Sequence, residues 1–219
     1  MISNIINTLI LVLVTAVFAS QSVAQSRGGG LGVNEAVVSV KELPKKNVQD
    51  ELVFLNVKHI RQKPGCCVPT SCAMILRYLG ESANPGSLKK LAENHKPADQ
   101  RNKEFTYWKD MLFALKKKGH NWNVERFEKT DAGFEKGLDK IKECLRNELP
   151  VMIEVHLDAG HSFVVMGFDD EQQQVFIRDP WIASNQARIL SYQKLKDCWH
   201  NHKYSKSRSV LIPVKPPST

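Results

Sequence analysis

Apolar residues recur along this chain with two different periods, and the change of period is the first guide to its architecture. In residues 67–80, Val68, Cys72, Ile75, Leu76 and Leu79 stand at i, i+4, i+7, i+8 and i+11, the spacing of one buried helical stripe. Pro69 falls in its first turn and Gly80 supplies the stop. The same reasoning predicts helices over 87–94, over 105–118 ahead of Gly119, and over 133–147, where Phe134, Leu138, Ile141 and Leu145 repeat. From residue 151 the pattern shortens. Residues 151–155, 162–168 and 175–177 are apolar runs separated by turn-forming clusters, which predicts consecutive antiparallel strands, and 209–214 reads as one more. A further strand, 52–57, precedes the first helix across the turn signal Pro64-Gly65. Helices first and strands later predict an α+β fold in which the first helix packs on an antiparallel sheet.

With 219 residues, 42% of them hydrophobic, the chain fits one globular domain. Its amino-terminal end reads differently. Residues 9–19 are almost wholly apolar, and Ser22-Val23-Ala24 places small residues at minus 3 and minus 1 of a cleavage site after Ala24. Residues 1–24 are therefore expected to be a signal peptide. The only positive charge ahead of the apolar run is the amino terminus, so an uncleaved anchor is the alternative; the run is shorter than the ~20 residues a span needs. Residues 25–35, with Gly28-Gly29-Gly30, read as a flexible lead-in, and the domain occupies 36–219. No later segment is long and apolar enough to cross a membrane, which points to a secreted or periplasmic chain with no membrane contact after signal cleavage.

The net charge of +8 predicts affinity for acidic surfaces. The basic residues are spread out and not interleaved with stacking aromatics, so nucleic acid is not an expected partner. Five cysteines, Cys66, Cys67, Cys72, Cys144 and Cys198, leave at least one thiol unpaired in an oxidising compartment. Cys66, Cys72, Cys144 and Cys198 allow two disulfides in three pairings; the plainer reading is that several are buried small hydrophobes.

The chemistry suggested by the pattern centres on Cys67. It opens the first core helix, where free backbone N–H groups and the helix dipole favour a thiolate, whereas Cys72 lies on the apolar stripe. A thiolate nucleophile in acyl transfer needs a base that also protonates the leaving group, a task suited to histidine. His161 begins the strand GHSFVVMGFDD. The next strand, VFIRDPW, returns antiparallel through the turn 169–174 and carries Asp179 back to the edge where His161 starts. Attack by Cys67, proton transfer by His161 and orientation of the imidazole by Asp179 form a triad. Gln62, five residues before Cys67, is placed to point its amide at the developing oxyanion together with the Cys67 N–H. Asp169 and Asp170 are rivals to Asp179 but fall at the far end of the hairpin.

Gln62, then CVPTSCAM at 67–74, GHSFVVMGFD at 160–169 and DPW at 179–181 resemble the papain-like cysteine peptidases related to the bacteriocin double-glycine leader peptidases. The resemblance covers most of residues 55–199. It implies a papain-like fold with Gln62, Cys67, His161 and Asp179 in those same roles. Two positions depart from the pattern. Val68 stands where the family generally has Gly and is expected to crowd the approach to the thiolate, and Cys66 is a rival nucleophile or a disulfide partner for Cys67. Exporter-linked members carry membrane and ATPase domains after the peptidase; none follows here, so leader trimming coupled to export is not expected.

The sequence thus predicts an exported cysteine peptidase that cleaves a peptide or isopeptide bond of a peptide or protein substrate through a thioester, without a cofactor. The alternatives are a thiol-dependent acyl or amide transferase with the same triad, and a catalytically silent peptide-binding module. Cys198, His200 and His202 lack the paired spacing of zinc sites, so no metal site is expected. Trp108, Trp122, Trp181 and Trp199 are expected in the core or cleft walls, with Trp181, beside Asp179, the one expected to line the site.

Overall fold

The computed structural model describes residues 35–42, 52–102, 104–157, 159–202 and 204–214. The expected signal peptide, its cleavage site and the lead-in as far as residue 34 lie outside the described residues. In chain order the elements are β1 (Glu35–Ser39), β2 (Leu52–Phe54), α1 (Cys67–Tyr78), α2 (Pro85–Asn94), α3 (Trp108–Lys117), β3 (Trp122–Glu128) and α4 (Asp131–Arg146). They continue with β4 (Val151–His156), β5 (Gly160–Asp169), β6 (Gln174–Arg178), β7 (Gln186–Ser191), α5 (Tyr192–Cys198) and β8 (Ser207–Pro213). Among the described residues no helix is long and apolar enough to cross a membrane.

The fold is α+β. All strand pairings are antiparallel, in the order β1-β7-β6-β5-β4-β8-β3, with β2 added to β5. Helix α1 packs on β5, and α2 and α3 cover it from outside. That double cover is why α1 is buried from Val68 through Leu76 and not only along its predicted stripe. Helix α4 packs across β3, β8 and β5 with Phe134, Leu138, Ile141 and Leu145 inward.

Several expectations change at element ends, each for a local reason. The helix predicted from residue 105 starts at Trp108, because the Asn102 side chain accepts the backbone N–H groups of Glu104 and Phe105 and holds that segment in a turn. Helix α4 starts earlier, at Asp131, where Thr130 caps it by accepting from the Gly133 N–H at 3.1 Å. The strand predicted over 52–57 ends at Phe54, although the Leu55 N–H still donates to Met166 O at 2.7 Å. β3 was not expected and falls between α3 and α4. Its charged residues Glu125, Arg126 and Glu128 hide the alternation, and they suit its place at the sheet edge.

The central hairpin sets the geometry used below. β5 pairs with β6 from Asp169↔Gln174 to Val164↔Arg178, with a register shift between Val165 and Gly167. β2 crosses β5 at Phe54↔Gly167. A Cβ on Gly167 would lie 2.4 Å from Val53 O and 2.9 Å from Phe176 Cδ2, so only glycine lets three strands meet there. Gly167→Ala is expected to destabilise the protein by about 1–3 kcal/mol. A urea titration checks this through a lower midpoint at unchanged slope; an unchanged midpoint would show that β2 can shift aside.

Candidate active site

Cys67 is the first residue of α1, reached through a turn that only glycine can make. Gly65 has φ +67, and a Cβ there would lie 1.5 Å from the Glu104 carbonyl oxygen, inside the backbone of the segment leading to α3. Lys89 holds the same turn by donating to Gly65 O at 3.2 Å. The helix start carries no side-chain cap and no acidic residue in its first turn, so nothing but Cys67 competes for its positive end. Ser71, one turn on, donates its hydroxyl to Ser162 O at 3.1 Å, and Trp108 Nε1 donates to Ser162 Oγ at 3.3 Å. These bonds tie α1 and α3 to β5 at the residue next to His161.

The expected hairpin geometry brings His161 and Asp179 to one edge of the sheet. His161 Nε2 donates to Asp179 Oδ1 at 2.8 Å, and the His161 ring is also hydrogen-bonded to the Cys67 thiol, which leaves Nδ1 as the nitrogen facing sulfur. Asp179 is fully buried and its carboxylate is matched on both oxygens. Oδ1 also accepts from the Trp181 N–H at 2.8 Å, and Oδ2 accepts from Arg188 Nε at 3.0 Å, with Arg188 Nη2 in ion-pair contact at 3.0 Å. Behind it, His59 Nε2 approaches Asp179 O at 3.2 Å. The rival carboxylates sit at the other end of the hairpin: Asp170 is engaged by Lys142 and by Tyr192 OH, and Asp169 caps the turn at Gln172.

The electrostatics follow from these contacts. Burial alone would push the Cys67 thiol up, but its hydrogen bond with His161, the imidazolium charge and backbone bonds from Ser162 and Val68 outweigh it, and the thiol lies below its ordinary value. Burial alone would lower His161; its bonds to Asp179 and Cys67 outweigh that and raise it to about 9. A lowered thiol against a raised imidazole makes thiolate and imidazolium the resting form between the two values. The other buried thiols move the opposite way: burial pushes up Cys72, Cys144 to about 11 and Cys198 to about 12. All five cysteines are free, so neither the two allowed disulfides nor a Cys66 to Cys67 bridge is present.

Gln62 lies on the Asp179 side of the site, its backbone N–H donating to Pro180 O at 2.9 Å while its side-chain Oε1 is buried without a hydrogen-bond partner. Val68 does not crowd the thiolate as expected. Its side chain is 5% exposed and belongs to the core, because the residue after Cys67 faces inward on α1. Trp181 is half-exposed, with the Arg61 guanidinium 5.7 Å from its ring centre. Trp122 and Trp199 are buried. His200 turns both ring nitrogens to backbone carbonyls, of His202 at 2.7 Å and Asp197 at 3.0 Å, and no group of metal-binding side chains is found among the described residues. Arg188, Ser162 and His59 escaped the sequence reading. An arginine between Ala187 and Ile189 carries no local sign of a buried carboxylate, and Ser162 meets the Cys67 thiol through its backbone.

The model of the Peptidase_C39 like family matches residues 54–207. Xylellain, a cysteine protease from Xylella fastidiosa, superimposes with a TM-score of 0.54 at 11% identity, covering 76% of this chain and 86% of that one. A double glycine motif protease from an AMS/PCAT transporter, solved in complex with the leader peptide, gives 0.51 at 17% identity, covering 74% and 95%. No curated protein matches. The fold is that of the papain-like cysteine proteases.

Removing the imidazole leaves the burial of Cys67 opposed mainly by two backbone bonds, so in His161→Ala the thiol is expected to rise. Each unit of rise cuts the thiolate fraction at pH 7 about tenfold. Iodoacetamide alkylation of Cys67 at pH 7, read by peptide mapping, should fall by about that factor or more; an unchanged rate would show that His161 does not activate the thiol.

Proposed function

Because the chain belongs to the Peptidase_C39 like family and is a cysteine-type peptidase, we propose that it hydrolyses a peptide or isopeptide bond through Cys67, His161 and Asp179, with Gln62 assisting. The observation that supports this reading is the continuous contact from the Cys67 thiol through both nitrogens of His161 to a buried carboxylate. The Cys67 thiolate attacks the carbonyl carbon, and the electron pair moves onto oxygen. The Cys67 backbone N–H, at the open end of α1, and the Gln62 amide donate to that oxyanion. His161 passes the proton on Nδ1 to the leaving amine, the C–N bond breaks, and a thioester remains. Nδ1 then takes a proton from water as the water oxygen attacks the thioester carbonyl; the C–S bond breaks, the acid leaves and the thiolate–imidazolium pair is restored. Throughout, Asp179 holds the Nε2–H and stabilises the charged ring.

The substrate we propose is a peptide or an exposed protein segment, bound in extended form. A leader peptide is what the double glycine motif protease of this fold is seen to bind. Phe105, Tyr107 and Trp181 are three of the exposed large hydrophobic residues. The first two precede α3 beside the Gly65 turn and the third follows Asp179, which gives a substrate apolar surface on both sides of Cys67. The inward-facing Val68 and the unbridged Cys66 support an active enzyme over a silent binding module. We also propose that the chain is exported and that signal cleavage follows Ala24.

Incubation with a diverse peptide library is expected to give products with new amino termini that vanish in Cys67→Ala and fall about a thousandfold or more in His161→Ala. Products carrying an exchanged amine in place of a new carboxylate would point instead to a transferase. Since His161 must be charged to protonate the leaving group, and its folded value is raised, activity should be lost as pH rises through about 9. Asp179→Asn should move that alkaline limb downward. Expression with the native amino-terminal segment in a bacterium is expected to yield a mature chain beginning at Gln25, read by intact mass; retention of residues 1–24 would overturn the signal-peptide proposal.

A further inference from the structure

We propose that Arg188 is the positioning residue of this site: its guanidinium anchors the Asp179 carboxylate toward His161 and supplies the positive charge that balances the four groups of the thiolate–imidazolium state. The inference rests on the reading of Cys67 as the nucleophile. Asp179 has no exposure to water, and a buried carboxylate is tolerated only where countercharge and hydrogen bonds replace its hydration. His161 alone cannot serve, because its charge comes and goes as it moves protons. Arg188 is charged throughout the working range, even though burial lowers its guanidinium somewhat. Its Nε–H bond and its Nη2 ion pair, both on Oδ2, leave Oδ1 to His161 Nε2 and the Trp181 N–H. The carboxylate therefore cannot rotate away from the imidazole without breaking a two-point contact.

Charge accounting gives the arrangement its consequence. In the active state Cys67 and Asp179 carry one negative charge each and His161 and Arg188 one positive charge each, so these four groups sum to zero. Other titratable groups stand around these four, and one of them, Arg178, carries a positive charge of its own. His59, in the segment before α1, is lowered by burial and by Arg178. Arg178 of β6 is held on Val57 O and Gln186 O, with burial lowering it to about 10. Cys198 of α5, pushed up to about 12 by burial, is a neutral thiol, and Arg61 stands outside over Trp181. Without the Arg188 charge the set would be net negative and would bind a proton more readily, and the Cys67 thiolate is the group open to receive it.

The test is the rate of iodoacetamide alkylation of Cys67 in the full chain between pH 4 and 9, with peptide mapping of all five cysteines. In the native chain the rate should rise with a limb below the ordinary thiol value. Arg188→Gln should move that limb upward by about one to three units. Arg188→Lys, which keeps the charge and loses the fork, should move it upward by less than a unit and by clearly less than Arg188→Gln does. Continued protection of Cys72, Cys144 and Cys198 identifies a folded variant. A folded Arg188→Gln with the native limb overturns the proposal, as does Arg188→Lys shifting as far as Arg188→Gln. Should Arg188→Gln expose the buried thiols, Arg188→Lys decides alone, and a shift beyond one unit sinks the idea. If native Cys67 itself titrates as an ordinary thiol, the nucleophile reading fails first, a result separable from the other two.

Discussion

Asp179 imposes the constraint on which the site depends. A carboxylate shut off from water must find a donor for each lone pair, and this chain supplies them from three directions: β5 through His161, β7 through Arg188, and its own following turn through Trp181. Because those donors lie on separate elements, the carboxylate is satisfied only when the hairpin β5–β6, the β6–β7 pairing and the turn after β6 are all in register. Folding and site assembly are then one event. The imidazole is aimed by the same bonds that make burial of the anion tolerable, and α1 needs only to arrive at the right height, which Ser71 fixes against Ser162 O.

Much of this was legible wherever the determining interactions are local. The stripe from Val68 to Leu76 located α1, the Pro64-Gly65 pair located the turn before it, and the spacing of His161 and Asp179 around a polar turn placed them at one sheet edge. What escaped was decided at a distance. β3 and β7 are partly charged strands stabilised by β8 and by β1 and β6, so their alternation is weak and their partners are remote in sequence. The late start of the 105–118 helix depends on one asparagine side chain, and the burial of Val68 on the phase of a helix whose outer side is also covered. Arg188 could not be read because its partner lies just past the end of the preceding strand, in the turn before β7.

The free cysteines sort by environment and not by chain position. Cys72, Cys144 and Cys198 are buried and raised, which makes them poor nucleophiles, while Cys67 is the one thiol held low by a partner. A chain exposed to oxidants therefore presents its reactive sulfur at one place, with Cys66 beside it.

The start of α1 has one more consequence. Of the first three helical positions, Cys67 and Val68 keep amide hydrogens and Pro69 has none, so the usual third-position target of a capping side chain does not exist. Val68 gives its amide to the Cys67 sulfur, and the Cys67 amide is the one left for a substrate oxygen in the proposed reaction. Stability and reactivity here draw on the same two groups. A mutation that strengthened this helix by supplying the missing cap would do so by occupying the amides the thiolate needs, so selection for robustness at this end of the helix is closed, and the fold must find its stability elsewhere.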